Sequence, residues 1–136
     1  MIRPIIRDPI ILSAPCEKAT LDDIAVADDL LDTLAAHAEE CVGLAANMIG
    51  VNKRIIVFND GHENREMFNP IVLRASGPYL AEEGCLSLEG RRQVRRFQDI
   101  KVQWMDRAGR RRTAAFSGFT AEIILHEIDH CKGILI

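Results

Sequence analysis

The sequence predicts an α+β fold in one domain spanning residues 1–136, with mostly antiparallel strands around a C-terminal helix and a second helix near the N-terminus. Three observations predict it. A long segment with helical periodicity comes first, several short β-type runs follow, and a second helical pattern closes the chain. Helix, strands, helix in that order suits a helix packed on an antiparallel sheet.

The first helix is expected over Thr20 to Glu40. Thr20 can cap it, Asp22 and Asp23 suit its positive end, and Ile24, Ala27, Leu31, Leu34 and Ala38 form an apolar stripe. Gly43 lies just beyond, where a stop is expected. Arg54 to Asn59 reads as a buried strand followed by an Asp60-Gly61 turn. Met67 to Leu73 is a weaker strand, interrupted by Asn69-Pro70. Ile100 to Met105 alternates apolar and polar residues; Asp106 to Gly109 then makes a turn, and Arg112 to Phe116 returns as a hairpin strand. Gly118 precedes the last helix, expected from Phe119 to Lys132 and ended by Gly133.

Composition narrows the function. Hydrophobic residues make up 48% of the 136 positions, charged residues 27%, and the net charge is −3. Such a chain can bury one core, and its charge gives no general case for nucleic acid binding. Arg91, Arg92, Arg95 and Arg96, with Arg110 to Arg112, are a local exception, read as solvated turns and strand faces or, more sharply, as a site for an anionic partner. The N-terminus lacks the unbroken apolar run of a signal peptide, and no stretch is long enough to span a membrane. The expected compartment is the cytoplasm, where Cys16, Cys41, Cys85 and Cys131 are thiols or metal ligands rather than disulfides.

The chemistry lies in His126-Glu127-Ile128-Asp129-His130. Residues four apart share one helix face, so both imidazoles can reach one ion. Glu127, about 100° further round, stands beside that ion, able to take a proton from water activated there and pass it to a leaving group. Two histidines and a glutamate among apolar neighbours would be costly to bury without a partner. A third ligand must come from upstream: only six residues follow His130, and Cys131 projects from another helix face. Cys85 in Glu83-Gly84-Cys85-Leu86-Ser87 is the best candidate, although these residues alone leave it open between thiolate ligand and small buried hydrophobe.

Three segments together resemble the peptide deformylases, whose motifs run GxGxAAxQ, EGCLS and HExDH. Here they read Cys41-Val42-Gly43-Leu44-Ala45-Ala46-Asn47-Met48, then EGCLS at 83–87, then HEIDH at 126–130. The resemblance implies removal of the formyl group from N-terminal formylmethionine of nascent peptides. It implies Cys85, His126 and His130 as metal ligands with water in the fourth position, Glu127 as general acid/base, the Leu86 backbone N–H as oxyanion donor, and Gly43 among the catalytic positions. Fe(II) is the expected native ion, with Zn(II), Ni(II) or Co(II) acceptable to the same donors. Val42, Gly43, Leu44 and Ile123 would line a pocket for the methionine side chain, and Arg91 or Arg92 would hold the peptide backbone. The implied partners are a formylmethionyl peptide and, transiently, the ribosome, with neither DNA nor membrane. Many family members continue past the last helix with a segment that can carry ribosome docking.

The first motif departs from the pattern twice. Cys41 replaces its first glycine and Met48 its glutamine. A thioether has no N–H to donate, and losing one oxyanion donor costs about 10²–10³ in turnover. Two readings follow. In one, the chain remains a deformylase, slower or with another donor such as Asn47 or a water in place. In the other, it is a deformylase-like metalloprotein with weak, altered or no catalysis that binds N-acylated peptides.

Overall fold

The computed structural model describes residues 1–136. A short helix α1 (Pro9–Leu12) opens the chain, followed by α2 (Ile24–Ala36). Strands β1 (Gly43–Ala45), β2 (Ile55–Asn59), β3 (Asn64–Gly84), β4 (Arg91–Met105) and β5 (Arg111–Ser117) come next, and α3 (Gly118–Cys131) closes it. The five strands form one sheet in sequence order, and every neighbouring pair is antiparallel. The expected α+β architecture is present.

The Ile-Ile-Val-Phe run of β2 is fully buried because both α2 and α3 pack against that strand, so neither face meets water. The first helix is shorter than its periodicity suggests. Thr20 and Asp23 do cap its start, with the Thr20 N–H donating to the Asp23 carboxylate at 2.8 Å, but the first turn, Leu21–Asp23, is 3-10. Helix α2 ends at Ala36, where the His37 N–H bonds the carbonyls of Thr33 and Leu34. Ala38 therefore falls outside the helix and is exposed, while Leu30 and Thr33 join Ala27 and Leu34 in the core. Gly43 is not a helix stop; it starts β1.

The larger correction concerns β3 and β4. Asn69-Pro70 does not end a strand. The register shifts between Phe68 and Ile71 and again between Val72 and Arg74, and β3 runs on to Gly84. Asn69 takes a left-handed backbone (φ 53°), and its side chain bonds the Ala19 N–H and carbonyl at 2.7 and 2.9 Å. That side chain clamps the loop before α2 onto the sheet. Beyond it, much of β3 from Leu73 and of β4 before Arg96 is exposed, Leu73 and Leu80 included, so no regular apolar alternation marked either as strand. The arginine run lies on β4: Arg91, Arg92 and Arg95 are exposed, but Arg96 is buried.

Helix α3 packs on β4, β2 and β1 and buries Ile123, Ile124, His126, Glu127, Ile128 and His130. Gly133 ends it with φ 78°, and a Cβ there would collide with the Ser13 carbonyl. No helix is long and apolar enough to cross a membrane.

The Asn69 clamp is testable. Asn69→Ala should destabilise the chain by about 2 kcal/mol, through two lost hydrogen bonds and a residue ill suited to positive φ. A lower urea midpoint with unchanged slope is the expected readout. A loss below about 0.5 kcal/mol, the range of neutral surface substitutions, would show that the clamp carries little.

Candidate metal and catalytic site

The end of β3 and one face of α3 bring three donor atoms together. Cys85 follows Gly84, where β3 stops, and its Sγ lies 3.3 Å from His130 Nε2. That nitrogen is 3.1 Å from His126 Nε2. All three donors lie within 4.8 Å of one another, and both histidines are buried. A tetrahedral ion with bonds of about 2.1 Å to nitrogen and 2.3 Å to sulfur needs its donors roughly 3.4–3.6 Å apart. The Cys85–His130 and His126–His130 separations are within a few tenths of an ångström of that. One soft sulfur and two imidazoles suit Fe(II), Zn(II), Ni(II) or Co(II).

The charges around the cluster also favour a cation. Burial works against a charged His126, but the carboxylate of Glu127, the Cys85 sulfur and Glu83 outweigh it and raise His126 to about 10. Burial, reinforced by His126 and Arg96, lowers His130 to about 3.

A buried network aims the first histidine. His126 Nδ1 lies 2.7 Å from a Glu83 carboxylate oxygen, which leaves Nε2 for the cluster. Arg96 donates to both Glu83 oxygens at 2.9 and 2.8 Å and to Asp129 at 2.7 Å. Burial opposes the Glu83 charge, yet its bonds to His126 and Arg96 hold the group down to about 2. These three residues had no assigned role in the sequence. Glu83 and Asp129 are letters of the second and third motifs, which was a signal; Arg96 was hidden in a run read as solvated.

Glu127 sits beside the cluster, 4% exposed, with its Oε1 buried and unpartnered. Burial raises it to about 7, with the charge of His126 opposing. Gly43 makes room for it, because a Cβ there would lie 2.8 Å from both Glu127 Oε2 and Ile123 Cγ2. Such a buried carboxyl beside a cation can shuttle a proton during hydrolysis.

A cavity of about 400 Å³ opens onto these groups. Val42, Gly43, Ile123 and Arg91 line it, as do Met48 and Leu86, and so do Phe119 and Glu122, which the sequence reading missed. Leu44 and Arg92 do not. Leu44 belongs to β1 and turns fully into the core, and Arg92 stands exposed on β4 away from the opening. Cys131 is buried elsewhere, its Sγ 4.0 Å from the Ile55 carbonyl.

The departures in the first motif have plain geometry. The Met48 sulfur accepts from the Ala45 N–H at 3.4 Å. Asn47 does not line the cavity; it is buried, and its amide donates to the His130 carbonyl at 2.8 Å. Cys41 lies at the cavity wall and donates its thiol to the Gly43 carbonyl at 2.9 Å; burial, then the charge of Glu127, pushes that thiol up to about 12. The Leu86 N–H has no partner within the chain.

A family model described as polypeptide deformylase matches residues 2–136. A Clostridium beijerinckii protein named peptide deformylase is 51% identical over 136 residues, which is 100% of each chain. One from Desulfitobacterium hafniense is 36% identical over 90% of this chain and 81% of its own length. Among solved structures, a Met-Ala-Ser-bound class I type b peptide deformylase from Acinetobacter baumannii superposes with a TM-score of 0.89 at 29% identity, covering 99% of this chain and 97% of that one.

If Glu83 orients His126, Glu83→Gln should weaken divalent metal binding about 10- to 100-fold. Competition against a chelating indicator would measure it, and an unchanged metal affinity would remove Glu83 from the site.

Proposed function

Because the chain belongs to the peptide deformylase family, whose members remove the formyl group from N-terminal formylmethionine, we propose that Cys85, His126 and His130 hold its metal ion and that Glu127 is the general acid/base. The observation that carries this is the meeting of three donor atoms within 4.8 Å beside a buried, unpartnered carboxylate oxygen.

A divalent ion bound there supplies Lewis acidity, polarising the formyl carbonyl and lowering the pKa of water to about 7. Glu127 accepts the proton of the attacking water at its carboxylate and returns it to the methionine nitrogen as formate leaves. Burial that raises Glu127 to about 7 fits it for both transfers near neutral pH. The free Leu86 N–H donates to the oxygen that gains charge. Met48 cannot, so this oxyanion site works with one donor fewer than the family pattern. Gly43 contributes by its lack of a side chain, which lets Glu127 reach the reacting atoms. Val42, Met48, Phe119 and Ile123 offer the apolar wall for the methionine side chain, and Arg91, at the cavity edge, is the arginine that holds the peptide backbone.

Fe(II) is the native ion on this reading; its neighbour Cys85 makes it sensitive to oxidation, so Ni(II), Zn(II) or Co(II) would give a hardier enzyme. A nascent-chain substrate implies a cytoplasmic enzyme in transient contact with the ribosome.

Formate release from formyl-Met-Ala-Ser under anaerobic conditions with Fe(II) or Ni(II) tests the assignment. Glu127→Gln should lower kcat by about 10²–10⁴ with metal still bound. Met48→Gln should raise kcat, by up to about 10². Metal-loaded protein that releases no formate either as itself or as Met48→Gln would contradict the proposal, as would full activity in Glu127→Gln.

A further inference from the structure

The proposed oxyanion donor sits on a segment without regular structure. Between Gly84 and Arg91 the chain forms neither helix nor strand. Inside it the Ser87 N–H reaches back to Cys85 Sγ at 3.5 Å. The longer-range hold comes from the opposite end of the chain: Arg7 Nη1 donates to the Leu86 carbonyl at 2.6 Å, across 79 positions. The preceding residue, Ile6, donates its N–H to the Met48 carbonyl at 2.8 Å. Two adjacent residues of the N-terminal segment thus tie the two positions where oxyanion donors belong, Met48 and Leu86. The segment is itself fastened to α2, with the Arg3 N–H on Thr33 and the Arg3 side chain on Asp29, both at 2.9 Å.

We infer that Arg7 is a positioning residue, which holds Leu86 so that its N–H points at the reacting carbonyl. The inference rests on the reading of that N–H as the oxyanion donor. Cys85, fixed at the ligand cluster, restrains the chain on one side of the Leu86 nitrogen, and Arg7 restrains the carbonyl on the other. Free rotation of the Leu86 backbone is what this pair of restraints removes. The restraint matters more here than in a chain with glutamine at position 48, because no second side-chain donor corrects a misaimed N–H. Arg7 is exposed, and a hydrogen bond there contributes little to stability. Its effect therefore falls on rate.

The test uses the full chain loaded with Ni(II) and formyl-Met-Ala-Ser as substrate. Arg7→Met should lower kcat about tenfold, less than the 10²–10³ for outright loss of a donor, with KM within twofold of the parent and metal content and Tm unchanged. Arg7→Lys, which keeps a donor, should recover most of the rate. A kcat for Arg7→Met within twofold of the parent would overturn the inference, as would an equal loss in Arg7→Lys or a loss that follows metal content or Tm. Replacing Leu86 by its α-hydroxy acid, which turns one amide into an ester and deletes the N–H, separates the two readings. If that ester keeps full kcat, the Leu86 reading fails and Arg7 with it. If the ester is slow and Arg7→Met is not, only the Arg7 inference fails.

Discussion

One buried guanidinium joins the three elements that build the site. Arg96 comes from β4, binds Glu83 at the end of β3 through two hydrogen bonds, and binds Asp129 on α3 through a third. Glu83 in turn holds His126. Without Arg96, the buried Glu83 carboxylate would lose its ion pair; breaking a buried pair of this kind costs about 3–5 kcal/mol. The cost of burying these charges is met by geometry: the ligand-bearing helix and the ligand-bearing strand end are locked in one relative position, which a greasy contact would not fix so closely.

From that lock follow the other close fits. With α3 held against the sheet, β1 passes so near to it that only glycine fits at position 43. Glu127 is then pressed between backbone and ligands, dry enough to be pushed to about 7. The oxyanion side is less heavily built. The Met48 sulfur accepts a local N–H, the Asn47 amide donates to the His130 carbonyl, and the Leu86 N–H, the proposed donor, has no competing partner. On the proposed reading, the groups for the ion and the proton are all present, while one donor to the developing charge is missing.

The sequence made the apolar and motif-bearing parts legible and left the polar framework dark. Helix α3 and strands β2 and β5 carried clear periodicity, and their observed bounds lie within a residue of the expected ones; β4 was expected only from Ile100 and begins at Arg91. The outer parts of β3 and β4 lacked such periodicity, because their residues meet water on both sides and their pairing, Tyr79 with Arg96 or Glu83 with Arg92, is set by a distant strand. Asn69-Pro70 misled for a related reason: a bulge can absorb residues that would end an isolated strand. Arg96 looked like its exposed neighbours Arg95 and Arg92, since nothing local marks which member of a run faces a buried and a half-buried carboxylate. Leu44 and Arg92 show the same limit on the scale of one residue, where the alternation of a strand decides which side chain reaches the cavity.

X-ray absorption at the metal edge of the loaded protein reads the atoms bound to the ion. Cys85, His126 and His130 around one ion predict a shell with a single sulfur at about 2.3 Å and two imidazole nitrogens near 2.1 Å, and Cys85→Ser should remove the sulfur scatterer. A shell without sulfur, or one that keeps its sulfur after that substitution, would contradict the account.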